Sequence, residues 1–178
     1  NFSSGMVKYV GHEIRAVIMN KLEMDVRDTV LLANAESIAV EASMVAYEGV
    51  VIAAERDAGS LRTMEENASK FGTHNIEIIP EITVEALEKL PTPRLAFIVA
   101  QKSTIENDIV TLLKVNPKIK FIIYTLELDI LADIKYLMKK HGVDVTEVMQ
   151  IAVSKVDKNG VFVAQPAPWM ITCEVKEK

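Results

Sequence analysis

Glycine is scarce in this chain. Gly5, Gly11, Gly49, Gly59, Gly72, Gly142 and Gly160 are the whole set in 178 residues, where ordinary usage near 7% would supply roughly a dozen. No two are closer than six positions, which excludes a glycine-rich loop of the kind that cradles a phosphate. Cysteine is rarer still: Cys173 stands alone and cannot form an internal disulfide. With eight methionines beside it, the composition points to a reducing, cytoplasmic setting. The three histidines, His12, His74 and His141, lie far apart with no His or Cys at ligand spacing, so no zinc site is expected. A net charge of −5 disfavours a nucleic-acid surface, which needs a clustered positive field. No apolar run approaches the roughly 20 residues of a membrane span. A Gly-x-Ser-x-Gly nucleophile elbow is also missing.

What is present is an ordinary globular balance, 49% hydrophobic and 25% charged, in a length that suits one domain. The expected organisation is a single unit over 1–178, with a leading segment at 1–10 and a closing hairpin at 143–178. Helical spacing covers 11–22. Short apolar runs then alternate with helical periodicity: strands at 29–33, 50–54, 76–79, 94–100 and 120–126, and helices at 35–47, 57–72, 82–90, 104–114 and 129–140. Fully apolar strands separated by helices mean a parallel sheet covered on both faces. From Val143 the texture changes to two long runs, 143–156 and 161–175, flanking Asp157-Lys158-Asn159-Gly160, a hairpin signal. The expected fold class is α/β: a three-layer α/β/α Rossmann-like methyltransferase fold, its mostly parallel seven-stranded sheet ending in an antiparallel hairpin.

Several motifs sit on this frame: HEIRA (12–16), VEA (40–42), AAERD (53–57), ENASKFG (66–72), VEALEKLP (84–91), TLE (125–127) and APWMIT (167–172). In order and spacing the chain resembles the decarboxylating precorrin methyltransferases of cobalamin biosynthesis. The resemblance implies S-adenosylmethionine as cofactor and a corrin-ring precursor, a tetrapyrrole, as substrate. It also implies a homo-oligomer assembled through the C-terminal hairpin near Trp169. In that family an acid ends the first strand and a Gly-x-Gly-x-Gly turn follows it, where backbone amides reach the cofactor's methionine portion. Alignment on VEA sets Val30 at the acid and Leu32, Asn34 and Glu36 at the three glycines, so the cofactor-binding glycines are lost.

Each implied position has a structural reading beside the functional one. Asn34 suits a helix N-cap, and Glu36 in a first turn complements the helix dipole by up to about 1 kcal/mol; alternatively Glu36 stands in for the cofactor's own carboxylate. Glu55 matches the family's acid for the ribose hydroxyls, or is a strand-end carboxylate paired with Arg56 or a lysine. Glu81 falls near the adenine region. Gln101 and Lys102 occupy the segment beside the ring substrate, where Lys102 suits a substrate carboxylate, while Ser103 or Thr104 opens the next helix. No catalytic acid or base is singled out. Two functional readings stand together: a decarboxylating C-methyltransferase, or a catalytically inactive methyltransferase-like subunit with a structural or regulatory role.

Overall fold

Strand interiors of this chain are apolar on both sides because helices cover both faces. In the structure, a computed structural model that describes residues 11–177, the elements run α1 (His12–Leu22), β1 (Thr29–Ala33), α2 (Glu36–Val45), β2 (Val50–Ala54), α3 (Ala58–Phe71), β3 (Ile76–Ile79), α4 (Val84–Leu87), β4 (Leu95–Val99), α5 (Ile105–Val115), β5 (Lys120–Thr125), α6 (Leu128–Lys140), β6 (Val143–Gln150), β7 (Ser154–Val156), β8 (Phe162–Ala164) and β9 (Trp169–Val175). The leading segment expected over 1–10 lies outside the described residues. Seven strands form one sheet in the order β3-β2-β1-β4-β5-β9-β6. The first five are parallel and β9 is antiparallel to both β5 and β6. This is the expected α/β methyltransferase-like class.

The period of two along a strand divides the core. Leu31, Ala33, Ile52 and Ala54 pack in the layer with Ile105, Ile109 and Ile134, from α5 and α6. Val30, Leu32, Val51 and Ala53 pack in the other, with Ile18 and Ile38, from α1 and α2. At the strand starts, Arg94 donates through Nε and Nη2 to the Asp28 carboxylate (2.9 and 2.7 Å) and through Nη2 to Leu22 O (3.1 Å), tying the end of α1 to the sheet.

Local chemistry sets most boundaries. Asp57 caps α3, accepting from Ser60 N at 2.8 Å, and Gly72 ends it at φ +65°. The helix expected to run to residue 47 stops at Val45. Asn75 Nδ2 donates to Ser43 O (3.0 Å) and Ala46 O (2.7 Å), satisfying carbonyls that further turns would have used. Gly49, just before β2, is a glycine for a reason outside its own segment: a Cβ there would lie 1.9 Å from Asp28 O. Close backbone approach demands it.

The closing hairpin differs from two continuous strands. Its Asp157–Gly160 turn forms as expected, with Asp157 Oδ1 accepting from Asn159 N (2.8 Å) and Val161 N (3.0 Å) and Gly160 at φ +76°. Yet only β6 and β9 join the large sheet, and β7 and β8 form a separate two-stranded ribbon. The interruption holds Pro166 and Pro168, which have no N–H to give to a ladder.

Candidate functional site

In an open parallel sheet the ligand crevice lies at the carboxyl ends of the strands, where the strand order reverses. Here the chain steps from β1 outward to β2 and β3 and then returns to β4 on the other side of β1. The switch point is therefore the gap between Ala33 and Val99. Asn34 crosses it, its Nδ2 donating to Val99 O at 3.2 Å. The N-cap expectation for Asn34 does not hold: the cap position belongs to Ala35, with no side-chain capping bond. Asn34 instead adopts the left-handed region at φ +57°, a conformation that asparagine tolerates better than other residues bearing a Cβ. The turn keeps a glycine-like backbone and adds a buried side chain. Leu32, by contrast, lies in the strand body beside Ala53 and Phe97. Its side chain fills the core.

Glu55 follows β2 and is only 2% exposed. Its N–H donates to Ile79 O at 3.0 Å, extending the ladder, and its Oε1 accepts from Asp57 N at 3.3 Å. Burial pushes its carboxyl up to about 7; the Asp57 N–H opposes this, and the charge of Glu36 adds to it. Glu36 is itself buried at the start of α2, so two acids converge beside the switch point. Glu55 does not pair with Arg56. That guanidinium donates to Asp108 Oδ1 on α5 at 2.6 Å, and Asp108 is 1% exposed.

The remaining expected positions divide. Glu81 is exposed in the turn after β3, near enough for its charge to act on Asp108. Gln101 is half-buried after β4, and its carbonyl accepts from Thr104 N and Ile105 N to open α5. Lys102 turns outward and pairs with Asp129 at 3.4 Å, both largely exposed, on a groove of about 430 Å³ that Glu106 and Asp133 also line. Thus Asn34, Glu36, Glu55, Glu81 and Gln101 share the carboxyl edge, and Lys102 belongs to the α5–α6 surface. Among the described residues no group of three or more His, Cys, Asp or Glu side chains is placed to hold a metal ion. No described helix is long and apolar enough to cross a membrane.

The Arg56–Asp108 pair escaped the sequence reading. A signal existed: Asp108 falls on the buried stripe of α5 with Ile105, Ile109 and Leu112. A carboxylate on an apolar stripe requires a partner.

Known proteins share this fold. Precorrin-6Y C5,15-methyltransferase from Geobacter metallireducens superposes with a TM-score of 0.82 at 24% identity, covering 94% of this chain and 89% of that one. Precorrin 8W decarboxylase from Methanobacterium thermoautotrophicum gives 0.77 at 19%, covering 93% and 91%. The C-terminal domain of precorrin-6Y C5,15-methyltransferase from Rhodobacter capsulatus gives 0.72 at 16%, covering 93% and 90%. No curated protein sequence matches significantly. The precorrin methyltransferase domain family matches residues 7–175, nearly the whole chain, and this protein is a member of that family.

Proposed function

We propose that this domain is an S-adenosylmethionine-dependent C-methyltransferase acting on a corrin-ring precursor in cobalamin biosynthesis, the decarboxylating reaction the family resemblance implies. The observation that carries the reading is Glu55: a carboxylate at the tip of β2, 98% removed from solvent, whose one hydrogen bond from the described residues is the long contact from Asp57 N. Such an acid suits two adjacent hydroxyls, as on a ribose. The nucleoside half of the cofactor therefore fits the residues present. When bound, the cofactor supplies an electrophilic methyl group on sulfur. The chain's own residues bind and orient: Glu55 takes the ribose, and Gln101 lies on the substrate side. Lys102 lies outside the carboxyl edge, on the α5–α6 surface, where its exposed pair with Asp129 is displaced at little cost only by a substrate carboxylate that extends so far.

A second reading draws on the methionine half. Asn34 and Glu36 put side chains where the resemblance expects glycines, and the Asn34–Val99 hydrogen bond spans the switch point. Under this reading the domain has lost cofactor binding and serves as a structural or regulatory subunit. Titration with S-adenosylhomocysteine, read by calorimetry and thermal shift, separates the two. A binder gains about 2.7 kcal/mol at a hundred times its dissociation constant. No shift at millimolar ligand in the native protein, with a shift appearing in Asn34→Gly, establishes the second reading.

Self-association through the C-terminal hairpin, in the Trp169 region, belongs to the same proposal. Trp169 is half-buried in the large sheet, in register with Thr125 and Gln150. Most of the exposed apolar side chains of this region stand on the neighbouring ribbon, Val156, Val161, Val163 and Phe162, the last 81% exposed, with Val148 on β6 as well.

A further inference from the structure

Successive residues at the tip of β2 straddle the sheet. Ala53 packs in the layer of α1 and α2, and Ala54 in that of α5 and α6. Continuing the period of two, Glu55 emerges toward α2, where the charge of Glu36 reaches it, and Arg56 toward α5, where it meets Asp108. The ion pair links residues 52 apart in sequence and spans the carboxyl end of β1, since β1 lies between β2 and the β4–α5 unit.

The pair is poorly built for stability. It makes one contact, Nη2 to Oδ1 at 2.6 Å, where a guanidinium and a carboxylate ordinarily form two. Arg56 Nη1 and Asp108 Oδ2 are both buried without a well-formed hydrogen bond among the described residues, and the Thr104 hydroxyl, one turn back at the cap position of α5, is the one other group close enough to Asp108 to favour its charged form. Burial pushes the Asp108 carboxyl up, against the pull of Arg56. An ion pair with a buried carboxylate and incomplete hydrogen bonding, its guanidinium partly exposed, is commonly no better for the fold than apolar residues of the same shape, so its presence calls for another reason.

We infer that Arg56 and Asp108 are positioning residues: by pinning the strand end to α5 on one face of the sheet, they hold the Glu55 carboxylate in its ribose-accepting place on the other. This rests on the reading that Glu55 receives the cofactor's ribose. The loop 55–57 is then fixed from three sides, by Arg56 on Asp108, by the Asp57 cap on Ser60 N and by the Glu55 N–H on Ile79 O.

The test compares the native chain, Asp108→Asn, the shape-matched double variant Arg56→Met/Asp108→Leu, Glu55→Gln, and the double variant combined with Glu55→Gln. Affinity for S-adenosylhomocysteine is read by calorimetry, the melting midpoint by scanning, and the titration of the Glu55 carboxyl by NMR in the unliganded protein. Expected are an unchanged or raised midpoint in the double variant, at least a tenfold loss of affinity, and no further loss when Glu55→Gln is already present. The Glu55 titration should move in both Asp108→Asn and the double variant. A fallen midpoint with intact affinity overturns the inference, since the pair is then only structural. Additive losses overturn it as well, because the pair then acts independently of Glu55. If the native chain binds no S-adenosylhomocysteine, the proposed function fails, and a Glu55 titration that ignores Asp108 separately removes the coupling.

Discussion

At the scale of single residues, burial of charge dominates. The Glu55 carboxyl is raised from its ordinary 4.5 to about 7 in the folded chain, chiefly by burial, so the folded state holds this proton more tightly than the unfolded one. Below pH 4.5 both states are protonated and there is no penalty. As pH rises from 4.5 to 7 the unfolded state ionises first, and above 7 the fold carries the full cost, about 3 kcal/mol. Glu55→Gln should therefore stabilise the protein by up to that amount at pH 8 and hardly at all at pH 4, measured by urea denaturation at both; an equal effect at the two pH values refutes this. The same variant should weaken S-adenosylhomocysteine binding, a trade between stability and site chemistry. Gly49 makes the opposite kind of prediction. Gly49→Ala drives a Cβ into the Asp28 carbonyl, and a loss of about 3 kcal/mol is expected, visible as a lower denaturation midpoint. Composition singled out Gly49 as rare, but its reason was hidden, because Asp28 lies in another segment and only folding brings its carbonyl there.

At the scale of elements, what local chemistry controls was legible. The helix expected over 57–72 formed there, with Asp57 as its cap and Gly72 as its stop, since both act within a few residues of the chain. Asp57→Ala should cost about 1 kcal/mol, and by loosening the 55–57 loop it should also reduce ligand affinity, two readouts from one titration of a folded variant. Where a distant group intervened, expectation failed. Asn75 drew α2 to an early end, and Asn34 gave up capping to bond Val99, 65 residues away. At the base of the sheet Arg94 donates to a buried Asp28. Asp28→Asn leaves the guanidinium without its countercharge, and a destabilisation of about 2 kcal/mol is expected from the loss of a charged, partly buried hydrogen-bond pair, read from the shift in denaturation midpoint.

At the scale of the whole molecule, the ribbon of β7 and β8 stands apart from the large sheet and carries its own apolar surface. If copies associate through it, Phe162→Ser should shift the protein toward monomer in sedimentation without changing the fold's midpoint; an unchanged assembly places the contact elsewhere. The alternation of apolar strands with helices, and the Asn159-Gly160 turn after them, determined the class of fold and the order of its elements, because periodicity and turn chemistry are properties of neighbouring residues. Glu55 was reached differently, through the family resemblance, which sets an acid after the second strand. The bridge from Asn34 to Val99, the clearance at Gly49 and the reach of Arg56 to Asp108 were decided only by tertiary structure. Each joins segments that the sheet order makes neighbours and that the chain keeps tens of residues apart, so no local pattern announces them.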